Sequence, residues 1–295
     1  MGLMASDSLL YRIKKANVIV KLIVINAVLF IIFKILELAP GNAGFSLESH
    51  LLLPFEFSEF LSQPWSIITY SFLHSTIWHV GMNMFVLYVV GAFVLNLFTT
   101  KRFLTIYFLG AIAGGLFFLL LNDILPVQIR PLPLGGASGA VMAVLLFIAA
   151  YAPSTEVRLI RWNIKLWHIA VFFVVFDVFR LVTGQNAGGM LAHLGGALFG
   201  FIYARQLVKG NDIGLWFEKI MDGIANLFKS RKTKPFKKVH RNKTTHFSSG
   251  RSKVKDNKSD HQRKVDGILD KIGKSGYESL SKAEKDYLFK AGKND

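Results

Sequence analysis

A serine and a histidine lie at the corresponding ends of two different apolar stretches of this sequence. Ser138 lies in the segment GGASG at 135–139, and His193 lies in AHLGG at 192–196. A histidine can take the proton of a serine hydroxyl and so turn it into a nucleophile. An ionisable group inside an apolar span marks a functional site by default. The pair therefore predicts covalent hydrolysis inside a lipid bilayer.

The composition supports a membrane location for these two residues. Hydrophobic residues make up 52% of the chain and the mean hydropathy is +0.39. Several stretches are long enough to cross the ~30 Å hydrocarbon core of a bilayer. We therefore predict an all-α membrane protein with a bundle of six transmembrane helices, at 17–39, 79–98, 102–121, 136–152, 164–183 and 188–207.

The charges that flank the spans predict their orientation. Basic residues cluster on one side, and the opposite loop at 40–64 carries three Glu and no Lys or Arg; only Arg130 departs from this pattern. By the positive-inside rule, the basic side and both termini are cytoplasmic. A cleaved signal peptide is the alternative for the first span, but Lys21 and Lys34 inside it favour a retained helix.

The positive charge is concentrated after the last span. The chain has a net charge of +16, and residues 229–264 hold fourteen Lys or Arg against two Asp. Such a polar segment cannot bury enough apolar surface to fold, so we predict a largely disordered linker. It either attracts anionic lipids or acts as a solvated spacer. No nucleic-acid-binding motif accompanies it.

The remaining segments complete the predicted organisation. Residues 1–16 form a cytoplasmic N-terminus, 17–207 the six-span core, and 208–228 an amphipathic interfacial segment. After the linker, 265–295 is predicted to be a short helical hairpin of unknown purpose. The absence of Cys excludes disulfides, a thiol nucleophile and thiolate metal sites.

A second polar motif opens the second span. His79 and Asn83 are four residues apart and share one helical face at the depth of Ser138. Two hydrogen-bond donors at that depth fit an oxyanion site. The alternative is a metal site that adds His74 and His193, but no carboxylate completes that set. We therefore predict neither a metal nor a cofactor.

Glycines indicate how the two central helices approach each other. Gly196 and Gly200 follow His193 on one helical face, and this stripe would let the sixth span pack closely against the fourth. The alternative for the serine motif is a small-residue packing surface, in which Gly139 and Ala143 do no chemistry.

Taken together, these motifs resemble the rhomboid intramembrane serine proteases. The resemblance covers about residues 15–207 and implies a dyad of Ser138 and His193 without a third carboxylate. It also implies an oxyanion site from His79, Asn83 and the backbone N–H of Ser138, supported by Gly136, Gly139, Gly196 and Gly200. Substrates would be single-span membrane proteins cut near the outer boundary. The location implied is the bacterial cytoplasmic (inner) membrane.

The sequence departs from that family at two positions. Ser66 stands where members often carry Arg after Trp65. Met142 stands where bacterial members often place a Tyr that stacks on the catalytic histidine. A thioether can still pack against an imidazole, so Met142 is predicted to alter the position of His193 without abolishing activity.

One further pair of charges lies inside the fifth span. Asp177 and Arg180 are three residues apart, which predicts an ion pair within the helix, with gating of substrate entry as the alternative. Two other functions compete with proteolysis. One is an inactive relative that binds membrane proteins, and the other is a transporter, for which no inverted repeat is visible.

Overall fold

The computed structural model describes residues 9–38, 47–121, 132–159, 161–227 and 260–291. The chain divides into two units, Met1–Arg231 and Lys232–Asp295. The helices of the first unit are α1 Leu9–Lys15, α2 Val18–Glu37, α3 Phe57–Ser62, α4 Ser66–Thr69, α5 Ile77–Leu97, α6 Thr100–Leu121, α7 Ser138–Tyr151, α8 Leu166–Val182, α9 Ala187–Val208 and α10 Leu215–Leu227. A 3-10 turn at Tyr70–Phe72 follows α4.

Helices occupy all six predicted spans, but the count of six spans is not confirmed. Among the described residues, α2, α5, α6 and α9 are long and apolar enough to cross a membrane. Helix α8 has 17 residues and α7 has 14. At 1.5 Å per residue, α7 is about 21 Å long, which is shorter than a hydrocarbon core.

Side-chain caps determine where two of these helices begin. The Asn17 carboxamide accepts the Val20 N–H at 3.0 Å, and the Thr76 hydroxyl accepts the His79 N–H at 3.1 Å. Such caps satisfy backbone donors that the first turn of a helix leaves free. The Thr76 cap fixes His79 in the first turn of α5.

Helix α7 is the centre of the first unit. Every residue from Gly139 to Ala149 is buried, and the helix packs most extensively against α9 and α6. A Cβ on Gly196 would lie well under 3.0 Å from the Gly139 carbonyl oxygen, and one on Gly200 equally close to the Ala143 carbonyl oxygen. The two helices are therefore in backbone contact, which only glycine permits at these positions.

The prediction of an all-α protein is wrong at one point. Between α7 and α8, β1 Glu156–Leu159 and β2 Trp162–Lys165 form an antiparallel hairpin in which Glu156 pairs with Lys165 and Val157 with Ile164. Each strand alternates polar and apolar residues, the period-2 pattern of a strand. Because the segment is short and charged, its composition is typical of a loop, and the two strands were not predicted from the sequence.

An ionic cluster holds the start of α10 against the bundle. Arg102 Nη2 lies 2.5 Å from Asp212 Oδ2, and Arg102 Nε donates to Glu218 Oε1 at 3.1 Å. The Tyr203 hydroxyl donates to Asp212 Oδ1 at 2.8 Å. An exposed apolar stripe runs along α10, formed by Trp216, Ile220, Ile224 and Leu227. Its contact with the bilayer interface remains a prediction.

The second unit is a small helical hairpin. It consists of α11 Asp260–Ser275, a 3-10 turn Tyr277–Ser279 and α12 Lys282–Ala291. Ser281 N donates to Glu284 Oε2 at 2.7 Å and Glu284 N to Ser281 Oγ at 3.4 Å, the reciprocal bonds of a capping box. The predicted disorder of 229–264 lies outside the described residues up to 259, and 260–264 are helical.

The contact between α7 and α9 gives a first test. Gly196→Ala and Gly200→Ala should each lower the thermal unfolding midpoint, because overpacking against a backbone carbonyl costs about 1–3 kcal/mol or more. Gly81→Ala is the control, since its Cβ would meet nothing within 4 Å. It should be neutral or raise the midpoint slightly. Equal effects of all three substitutions would argue against the backbone contact.

Candidate functional site

Ser138 is the first residue of α7 and follows a tight turn. Gly136 has a φ of +134°, and a Cβ there would lie 2.7 Å from the His79 ring. Gly136 N donates to the Tyr70 carbonyl at 2.9 Å, and Ala137 N donates to His74 Nε2 at 3.3 Å. The left-handed φ and the neighbouring ring both require glycine at this position. Tyr70 and His74, which lie in the segment before α5, thus hold the turn in place.

His193 lies in the second turn of α9 and is hydrogen-bonded to Asp177, which the sequence predicts to pair with Arg180. His193 Nδ1 lies 3.0 Å from Asp177 Oδ2 of α8. The predicted ion pair of Asp177 with Arg180 is therefore not the contact that forms. Arg180 lies over the Phe176 ring, 5.9 Å from its centroid. The resemblance implied no third carboxylate, whereas the structure places one beside the histidine.

His79 and Asn83 occupy the first two turns of α5. Asn83 Nδ2 donates to the His79 carbonyl at 2.9 Å, which leaves the second amide N–H for another acceptor. His79 Nδ1 lies 3.4 Å from Ser75 Oγ. The His79 ring also meets the His74 ring edge to face, with 5.0 Å between centroids. These contacts hold the imidazole of His79 beside the turn that precedes Ser138.

One cavity of about 890 Å³ brings the predicted groups together. Its lining includes Ser138, His193, His79, Asn83 and Met142. The supporting glycines Gly136, Gly139, Gly196 and Gly200 are not in this lining: Gly136 lies against the His79 ring, and the other three lie at the contact between α7 and α9. No hydrogen bond joins Ser138 Oγ to His193 in the described residues, and such bonds are often long until substrate binds. The cavity therefore brings a serine hydroxyl, two imidazole rings and a carboxamide around one space.

The structure describes both residues that depart from the family pattern. Met142 is buried one turn after Ser138 and lines the cavity, where the family often has Tyr. Ser66 is fully buried, and its hydroxyl has no hydrogen-bond partner in the described part of the chain.

The metal-site alternative would have used His74, His79 and His193. Among the described residues, no group of three His, Cys, Asp or Glu is placed to hold a metal ion. His74 uses its Nε2 lone pair to accept the Ala137 N–H. The structure gives His74 a role in holding the turn, which the sequence analysis missed because Ala137 is 63 residues away.

The fold and the site define a multi-pass membrane protein whose apolar bundle has, at one end, a cavity with several polar side chains in its lining. A model of the Rhomboid domain matches residues 61–210, about half of the chain. The chain therefore belongs to the rhomboid family. A second model, for a family of unknown function (DUF6576), matches 252–292, which includes the helical hairpin.

Curated relatives agree with this family. "Rhomboid protein 1, mitochondrial" of Saccharomyces cerevisiae is 28% identical over 55% of this chain and 46% of its own length. "RHOMBOID-like protein 12, mitochondrial" of Arabidopsis thaliana is 25% identical over 66% and 59%. "Presenilin-associated rhomboid-like protein, mitochondrial" of Homo sapiens is 27% identical over 55% and 44%. The chain spans about half the length of these relatives.

These relatives correct the predicted location. All three are named as mitochondrial proteins, which overturns the prediction of a bacterial cytoplasmic membrane with cytoplasmic termini. The printed names place these relatives in mitochondria. A charge asymmetry predicts only an orientation relative to a membrane and does not identify that membrane.

The buried His74 gives a pH-dependent prediction. Its side chain is 4% exposed, and burial lowers its pKa to about 4. Since an unfolded His has a pKa near 6.5, the unfolded state binds more protons between these values. The stability contributed by neutral His74 is present above pH ~6.5 and is lost as the pH falls towards 4. This amounts to about 2 kcal/mol between pH 8 and pH 5.

Thermal unfolding in detergent at the two pH values checks this expectation. His74→Gln removes the titrating group, so it should be less stable than wild type at pH 8 and should lose less stability on acidification. An equal loss in both proteins would show that another group carries the acid sensitivity.

Proposed function

We propose that this rhomboid protein is an intramembrane serine endopeptidase that cleaves single-span membrane proteins. The observation that carries the proposal is the shared cavity, which is lined by Ser138, His193, His79 and Asn83. These are the side-chain types that acyl transfer requires: a nucleophile, a base and donors for an oxyanion. Neither a metal nor a cofactor is needed for this chemistry.

We further propose that six helices span the membrane. Helix α7 is shorter than a bilayer core, but its neighbours surround it on all sides, so lipid need not cover its ends. The non-helical backbone at 132–135 lines the cavity. Irregular backbone at membrane depth is tolerated where it lines a water-filled space. A short central helix whose first residue borders a water-filled cavity would thus give water access to a peptide bond inside the membrane.

In the proposed mechanism, each of these groups has one role. His193 Nε2 takes the hydroxyl proton as Ser138 Oγ attacks the scissile carbonyl carbon. The resulting oxyanion accepts hydrogen bonds from the backbone N–H of Ser138, free at the start of α7, and from His79 and Asn83. The C–N bond then breaks, and His193 gives its proton to the leaving amine. Water, activated by the same histidine, releases the acyl group and restores the serine.

The competing proposal is a rhomboid relative that binds membrane proteins without cutting them. Such a protein needs the cavity but has no use for a reactive serine. Purified wild-type protein, incubated in detergent with single-span fusion proteins, separates the two functions. A cut within or beside the span supports the protease, and persistent binding without a cut supports the inactive relative.

The dyad provides the mechanistic test. Ser138→Ala and His193→Ala should each abolish cleavage of a fusion protein that wild type cuts, because nucleophile and base act as one unit. A fluorophosphonate probe should label wild type and fail on Ser138→Ala. Ser66→Ala is the control for the serine, since it removes a buried hydroxyl outside the cavity. His168→Ala is the control for the histidine, since His168 is an exposed residue of α8. Both controls should cleave normally.

The oxyanion assignment has its own test. Removing one donor of this kind costs ~10² to 10³ in kcat. Asn83→Ala and His79→Ala should each be slow but measurable, and the double variant should fall much further. Values of kcat within about twofold of wild type for both single variants would make these residues structural.

A further inference from the structure

We propose that Asp177 is a positioning residue that fixes the tautomer of His193 and stabilises its protonated form, so that the site works as a Ser–His–Asp chain. This inference rests on the proposed function. It concerns a residue that the sequence placed in a different ion pair. The three members come from three helices: Ser138 from α7, His193 from α9 and Asp177 from α8.

The contact between acid and imidazole is direct and buried. Asp177 Oδ2 lies 3.0 Å from His193 Nδ1, and Asp177 is 3% exposed. A carboxylate inside an apolar span is costly unless it is paired or hydrogen-bonded. Arg180, one turn away, lies over an aromatic ring and lines the cavity. The histidine is therefore the group that satisfies the buried acid.

The acid determines which nitrogen of His193 can act as a base. An ionised carboxylate only accepts hydrogen bonds, so Nδ1 must carry the proton. In a neutral imidazole, the lone pair then lies on Nε2. Once Nε2 has taken the serine proton, the imidazolium stays beside a negative charge. The same carboxylate thus orients the base before the reaction and stabilises it during the reaction.

Other charged and titratable groups also face the cavity near His193. They are Arg180 from α8, His79 from α5, His74 from the segment before α5 and Glu48 from the segment before α3. None of them is hydrogen-bonded to the imidazole in the described residues, whereas Asp177 is. We therefore expect Asp177 to have the largest effect on the protonation of His193.

The test compares two carboxylates in the detergent-purified full chain. Asp177→Asn keeps the shape but loses the charge, and its amide can donate to Nδ1 and so favour the wrong tautomer. We expect kcat to fall on the order of 10²-fold or more with KM within a few fold. The acidic limb of the kcat/KM profile should move about one pH unit or more to lower pH, because removing an adjacent negative charge disfavours the imidazolium. Asp177→Glu should recover part of the rate.

Asp212→Asn is the matched control. Asp212 is also a largely buried carboxylate, bonded to Arg102 and Tyr203, but it lies beyond the far end of α9 from His193. That separation is about 22 Å along the helix. The control should lower the thermal midpoint and leave the pH profile unchanged. Similar pH shifts in both variants, or an unchanged profile and kcat in Asp177→Asn, would overturn the inference.

A readout without catalysis separates this inference from the proposed function. Nitrogen-15 NMR of the imidazole in folded Ser138→Ala protein should show the Nδ1–H tautomer, which should be lost in a Ser138→Ala/Asp177→Asn double variant. If wild type neither cleaves substrates nor reacts with fluorophosphonate, the protease proposal fails while the tautomer can still be measured. If the Asn variant does not fold, a Nε2–H tautomer in Ser138→Ala alone would still refute the role of Asp177.

Discussion

The backbone contact between α7 and α9 is the constraint on which the site depends. Gly196 lies against the Gly139 carbonyl and Gly200 against the Ala143 carbonyl, so the two helices approach more closely than any side chain would allow. Ser138 begins one of these helices, and His193 lies one turn before Gly196 on the other. The spacing of the helices therefore sets the distance between Ser138 and His193. Larger residues at these glycines would move the two side chains apart.

The bundle is apolar, so a buried charged group is costly there unless it is paired or hydrogen-bonded. Asp177 is satisfied by His193, and His74 accepts the Ala137 N–H. At the opposite end, Arg102 joins Asp212 and Glu218. In a medium without water, unpaired groups of this kind cost several kcal/mol. The same requirement that stabilises the fold thus orients the groups proposed to react.

The two ends of the bundle differ in what their polar groups do. One end holds a cavity lined by Ser138, His193, His79 and Asn83. At the other end, charged groups neutralise one another and tie α10 to α6 and α9. This ionic cluster thereby fixes the direction in which the apolar stripe of α10 faces. The polar groups at this end thus satisfy one another, whereas those at the other end line a cavity.

The sequence by itself determined the helices, the placement of Ser138 and His193 at one end, and the glycine stripe, because these follow from hydrophobic period and local spacing. Only the tertiary structure decided the partners of Asp177 and His74. Spacing of three residues favoured Arg180, but a buried acid bonds to whatever polar group packing brings nearest, here a histidine on another helix. The β-hairpin was missed because its strands have only four residues each. Local sequence patterns predict which face of a helix or strand is apolar. Which residues that face contacts depends on long-range packing.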